Sequence, residues 1–221
     1  MNNAKIIGIT QPMNMGESDM NVDEFIAYVA RVSNPSNQNN HLTANKLLKY
    51  LMKHKHWSPF EMVNIVMEIN TTRDIARQIL RHRSFSFQEF SQRYADPTKD
   101  LGFVTREARL QDTKNRQNSI ESDDIKLQKE WREIQDFIKD TVSRNYEWAI
   151  KNGIAKEQAR AILPEGMTNS RMYMNGTLRS WIHYCQLRMG PETQKEHREI
   201  ALDCWYAITE AFPSLKDSLE L

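Results

Sequence analysis

The sequence is sparing with the residues that make ready-made chemistry. Of its 221 residues only Cys185 and Cys204 are cysteines. They stand at no metal-ligand spacing and form no disulfide framework. The seven glycines do not cluster. That excludes the Gly-rich fingerprints that cradle dinucleotides on backbone N–H groups. No apolar run approaches the length of a membrane span, and no secretory core is present. Neither sign of charge dominates: Lys and Arg total 30, Asp and Glu 29, for a net charge of +1. A dedicated nucleic-acid binder carries a basic excess, so no nucleic-acid partner and no membrane are expected. Apolar residues make up 39% of the chain, below the usual range of about 45–50% for a class that also counts glycine. That points to polar surface devoted to sites or subunit contacts. One domain over residues 1–221 and a reducing, cytoplasmic setting are the resulting expectations.

What is present is a series of clear local patterns. Residues 5–10 read as a first strand and 13–21 as a loop. A helix over 23–32 turns Phe25, Ile26, Val29 and Val32 inward, and the Ser33-Asn34-Pro35-Ser36-Asn37 run breaks it. A second helix covers 41–54. Residues 62–71 alternate Val63, Ile65, Met67 and Ile69 against Asn64, Val66, Glu68 and Asn70, as a half-buried strand does. Residues 96–123 are polar and weakly patterned, a long excursion with little expected core. The longest helix spans 124–152, with Leu127, Trp131, Ile134, Phe137, Ile138, Val142, Tyr146 and Ala149 on one inner face. Trp131 and Trp148 are expected in the core or an interface. A short helix over 155–163, an extended stretch over 165–175, a helix over 178–188 capped by Thr177, and a helix over 193–212 complete the chain. Helices and strands mix without regular alternation. The expected class is α+β, with a mixed central sheet and long flanking helices.

Residues 72–94 stand apart. On a helix, Ile75, Ala76, Ile79 and Leu80 share one sector, and Arg73, Asp74, Arg77, Gln78, Arg81 and His82 fill the other. The helix should end at or just before Arg83. A period of two follows, placing Glu89, Ser91 and Arg93 on one face and Phe90 and Tyr94 on the other. Guanidinium groups grip phosphate bidentately with a charge independent of pH, so the stretch suits a phosphorylated ligand. The plain alternative is a solvated basic face. The stripe, however, lacks the interleaved Glu that balances surface Arg. A second alternative is an RNA-binding module, using Arg73, Arg77, Arg81 and Arg83 with Phe85 and Phe87 as stacking platforms. His54 and His56 have no third ligand nearby, so no metal site is expected.

Arg81-His82-Arg83, seven residues, then Ser91 resembles the RHR-x7-S pattern of the flavin-dependent thymidylate synthases. The likeness extends through Arg77-Gln78 and Glu89-Phe90-Ser91-Gln92-Arg93-Tyr94 and over nearly the whole chain. It implies reductive methylation of dUMP to dTMP, with FAD as hydride carrier, methylenetetrahydrofolate as carbon donor and NADPH as reductant. It also implies a homotetramer with sites shared between subunits. By resemblance, FAD would be held by Ser58, Arg81, His82, Arg83, Glu89, Thr177, Arg179 and His183. His56, Glu61 and the Arg31-Val32-Ser33 corner would lie nearby, while Glu192 stands where some relatives have a flavin-contacting His. Substrate dUMP would be held by Gln78, Arg81, Glu89, Phe90, Ser91, Gln92, Arg93, Arg160 and Arg188. Its phosphate would rest on Arg93 and Arg160, and Arg188 would face the pyrimidine as the catalytic group. Cys185 and Cys204 lie mid-helix with no activating neighbour and read as small hydrophobes rather than nucleophiles.

Overall fold

The computed structural model describes residues 3–13, 20–216 and 219. In chain order the elements are β1 (Ala4–Ile9), α1 (Val22–Ala30), α2 (Ala44–Lys53), β2 (Asn64–Thr72), α3 (Arg73–Ile79), β3 (Ser86–Glu89), α4 (Pro97–Asp100), β4 (Arg109–Gln111), β5 (Ser119–Glu121), α5 (Ile125–Lys151), α6 (Lys156–Ala159), β6 (Asn169–Thr177), α7 (Leu178–Arg188) and α8 (Lys195–Ala211). Most of the loop expected at 13–21 lies outside the described residues.

The class is α+β. The main sheet has the order β1-β2-β6-β3, and every pairing is antiparallel, which corrects the expected mixed sheet. The reason is topological. β2 and β3 run the same way, but β6 inserts between them in the opposite sense. One face is buried: Ile65, Met67 and Ile69 of β2 and Met172 and Met174 of β6 meet Ile26, Leu48, Trp181, Ile182, Ile200 and Ile208 from the helices. Each such fully buried side chain contributes about 1.5–3 kcal/mol relative to exposure. The Trp181 indole N–H is satisfied by the Ile65 carbonyl at 3.1 Å.

Three further expectations change. First, the buried apolar side chains of α5 lie near its C-terminal end, where Tyr146 and Ala149 join Ala159 and Leu163; mid-helix the buried residue is Gln135, bonded to the Arg106 backbone. Trp131, Ile134, Phe137 and Ile138 are exposed, as is Trp148 at 61%, so within this chain they are not core. Periodicity says which residues share a face, not what covers them. Second, residues 96–123 do hold structure: α4, the β4–β5 hairpin and a bridge from Phe103 to Thr168. Third, the extended strip ends at Glu89. Beyond it the chain turns, with Tyr94 N–H and Ala95 N–H both donating to the Ser91 carbonyl at 3.1 Å. Glu89, Ser91 and Arg93 therefore do not form one ladder face.

Gly176 marks a close approach. A Cβ there would overlap the Phe85 ring, which packs on Trp181 with centroids 4.9 Å apart. Overpacking of this kind costs about 1–3 kcal/mol. Gly176→Ala is expected to lower the urea midpoint accordingly; an unchanged midpoint would show that Phe85 yields freely.

Candidate active site

The central ladder builds the site. β2 runs into α3 and β6 into α7 with no loop between. Thr72 pairs with Asn169 and Asn64 with Thr177, so the two helices leave from opposite ends of the ladder. Both fold back over its buried face, through Ile75 and Ile79 of α3 and Leu178, Trp181, Ile182 and Cys185 of α7. Thr177 caps α7 as expected, its hydroxyl accepting from Ser180 N–H at 3.2 Å. α3 stops at Ile79, so Arg81 and His82 lie in the turn beyond it.

There the two arms meet. Arg188 Nε donates to His82 Nε2 at 2.9 Å. That nitrogen must be unprotonated, which leaves the proton on Nδ1. Burial, then the Arg188 and Arg81 charges, push the His82 pKa down to about 4. The Tyr184 ring lies 5.0 Å from His82, and His197 lies 6.4 Å away. Gln78 sits between Gln194 at 2.8 Å and His197 at 3.2 Å. Burial, followed by Arg188 and His82, pushes the His197 pKa down to about 3. Tyr184, Gln194 and His197 were not foreseen. The available signal was a histidine on the inner stripe of α8 with Ile200, Ala201 and Cys204.

A second group lines a cleft of about 330 Å³: Arg73, Arg77, Gln92, Arg160 and Glu165 among others. The expectation that Arg73 belongs to an exposed polar sector is corrected. It is buried and bonded to Glu89 at 2.6 Å, and the Ser170 hydroxyl donates to the same carboxylate at 2.7 Å. Arg77 pairs with Glu165 at 3.5 Å and Arg93 with Glu157 at 3.4 Å. The missing acidic partners come from distant segments rather than from i,i+4. Phe85 is packed edge-on against Trp181, so that ring is not an open stacking platform. Arg81, Arg83 and Arg160 are exposed and have no carboxylate partner among the described residues.

A third group surrounds Trp57. Ser58 opens the turn Ser58–Met62, His183 stands edge-on to Trp57 at 4.8 Å, and Arg179 bonds Glu61 at 2.6 Å. His56 and Glu192 are exposed. Nearby, Arg179 Nε and Asn175 Oδ1 are buried with no partner. A donor and an acceptor left open fit a polar cofactor such as a flavin. The structure brings Gln78, His82 and Arg188 together; it does not join the three groups in one described cleft. Phe90, Ser91 and Gln92 lie in the turn region after β3.

A larger cavity of about 780 Å³ lies beside the β4–β5 hairpin, among Arg106, Arg109, Arg116, Lys195, Arg198 and Trp131. Arg106 grips Asp74 through two bonds of 2.8 Å, Arg109 bonds Glu196, and Lys195 bridges Glu107 and Glu121 at 2.7 and 2.6 Å. Cys185 and Cys204 are fully buried, and burial pushes both thiols up, away from the reactive thiolate.

Comparison with solved structures places the fold. The UMP/dUMP methylase PolB from Streptomyces cacaoi, bound with 5-Br UMP, superposes with a TM-score of 0.77 at 22% identity, over 97% of this chain and 92% of that one. The sequence then gives the family. The family model described as "Thymidylate synthase complementing protein" (Thy1) matches residues 17–214. The probable flavin-dependent thymidylate synthase of Paramecium bursaria Chlorella virus 1 is 46% identical over 217 residues, 98% of each chain. The flavin-dependent thymidylate synthase of Synechocystis sp. is likewise 46% identical over 98% of each chain. The chain belongs to the Thy1 family, the flavin-dependent thymidylate synthases.

Three histidines, His82, His183 and His197, have pKa values lowered from 6.5 by burial first. A group with a depressed folded pKa contributes stability that is present above its unfolded pKa and is lost as pH falls. Unfolding free energy is therefore expected to drop between about pH 6.5 and 5, before carboxylates titrate. Urea titrations across that window check it; a flat profile that falls only below pH 4.5 would assign the loss to carboxylates.

Proposed function

We propose that this chain catalyses the reductive methylation of dUMP to dTMP, using bound FAD, methylenetetrahydrofolate as carbon donor and NADPH as reductant. The observation that carries the reading is the Arg188–His82 bond, which joins the ends of the two ladder helices. The dUMP phosphate rests on Arg160, in the cleft that Gln92 and Arg73 also line, and on Arg93, which is paired with Glu157 of that lining. Gln78, Arg81, Glu89, Phe90 and Ser91 complete the nucleotide's surroundings, with Glu89 also fixing Arg73. Ser58, Thr177, Arg179 and His183, with Arg81, His82, Arg83 and Glu89, would hold the FAD, which when bound supplies the hydride. Arg179 Nε and Asn175 Oδ1 are open polar atoms suited to that contact.

Arg188 donates to a neutral imidazole rather than to a carboxylate. Its charge is therefore not neutralised locally, and it can stabilise negative charge developing on the pyrimidine. No thiol nucleophile is invoked. Both cysteines are buried in helices, and unpaired thiols suit a reducing, cytoplasmic setting. Among the described residues no helix is long and apolar enough to cross a membrane. A homotetramer with shared sites would cover the exposed apolar band of α5 and bring the three residue groups of different subunits together.

Formation of dTMP from dUMP, dependent on added methylenetetrahydrofolate and reductant, tests the function; a purified protein that takes up no FAD and makes no dTMP sinks it. Arg188→Ala should slow single-turnover product formation about 100–1000-fold with flavin still bound. Arg188→Lys should restore only part, lacking the planar fork. Replacing Cys185 and Cys204 together by Ala should leave turnover substantial in the folded protein; abolished turnover would assign the chemistry to a thiol.

A further inference from the structure

Behind the Arg188–His82 contact runs a chain of side-chain hydrogen bonds linking α8, α3 and α7. It begins at Glu196. Burial pushes that acid up, but hydrogen bonds from Arg109 and Gln194 bring it below its ordinary value, so it is an ionised carboxylate. A carboxylate only accepts. Gln194 must therefore turn its amide nitrogen to Glu196 Oε2, at 2.9 Å. Gln194 Oε1 is left to accept from Gln78 Nε2, at 2.8 Å. Gln78 Oε1 then faces His197 Nδ1 at 3.2 Å, and that nitrogen must carry the proton. His197 Nε2 is left as an acceptor, with the Tyr184 hydroxyl 3.1 Å away to donate. Each link has one permitted direction, and the charge on Glu196 sets it.

We propose that His197 and Glu196 are positioning residues for the nucleotide site, holding the Gln78 amide in one of its two orientations. The proposal rests on reading Gln78 as a dUMP contact. An amide is nearly the same shape after a flip, so packing alone discriminates poorly between its orientations. The flip nevertheless exchanges donor for acceptor at the ligand. His197 is fully buried and touches Gln78 and Tyr184, so it acts through Gln78.

The test is the Kd of dUMP for the FAD-loaded full chain, with flavin content and circular dichroism as controls. His197→Asn can place an N–H donor where Nδ1 stands. His197→Gln places its amide where Nε2 stands and faces Tyr184 instead. His197→Leu supplies neither. Leu and Gln are expected to weaken dUMP about tenfold, with Asn within about threefold of wild type and flavin content unchanged. His197→Gln stands in if His197→Leu does not fold. Wild-type dUMP affinity in the folded Leu or Gln variant overturns the proposal. So does an equal loss in Asn, Gln and Leu, which would mark a packing role only. A wild-type protein that binds no dUMP overturns the nucleotide reading and the proposal with it.

Discussion

The nine-residue antiparallel ladder between β2 and β6 is the constraint on which the rest depends. Both strands pass directly into helices, at Thr72–Arg73 and Thr177–Leu178, so no loop absorbs a slip in register. Shifting the ladder by one residue would turn Ile65, Met67 and Ile69 out to solvent. It would also displace His82 from Arg188, because each residue is tied to its own strand through a short, buried helix. The apolar pattern that fixes the sheet thus also fixes the polar contact at the centre of the site.

Around that contact the charges are organised by burial rather than by number. Arg73, Arg106 and Arg109 are held by Glu89, Asp74 and Glu196, each partner reaching in from another element. Breaking such a partly buried pair leaves an uncompensated charge, which is costly, so these arginines and acids serve as framework. Arg81, Arg83 and Arg160 have no carboxylate partner among the described residues and remain free for an anionic ligand. A near-neutral chain therefore keeps a few guanidinium groups without a carboxylate partner while most of its positive charge is paired, without a basic surface overall.

Much of this was legible in the sequence. The alternation of residues 62–71, the Thr177 cap and the apolar sector of α3 are local patterns, and local physics settles them. The motif at Arg81–Ser91 pointed to the family that the comparisons then established. What was not legible depends on contacts distant in sequence. The burial of Arg73 requires knowing that Glu89 and Ser170 converge on one place across the sheet. The antiparallel sheet follows from β6 entering between β2 and β3, which no window of sequence reveals. His197 read as one polar residue on an apolar stripe, and its partners Gln78 and Tyr184 lie on two other helices. The apolar face of α5 was visible, but what covers it depends on other chains or on none.

Hydrogen exchange of the intact protein with and without FAD and dUMP tests the assignment of the site to this ladder most directly. Amides in residues 78–93 and 179–188, at the ends of the two arms, should slow together when both ligands are present. Residues 109–121, around the larger cavity beside the hairpin, should change less. Protection confined to residues 109–121, with the two arms unchanged, would place the ligands in the larger cavity and contradict the site described here.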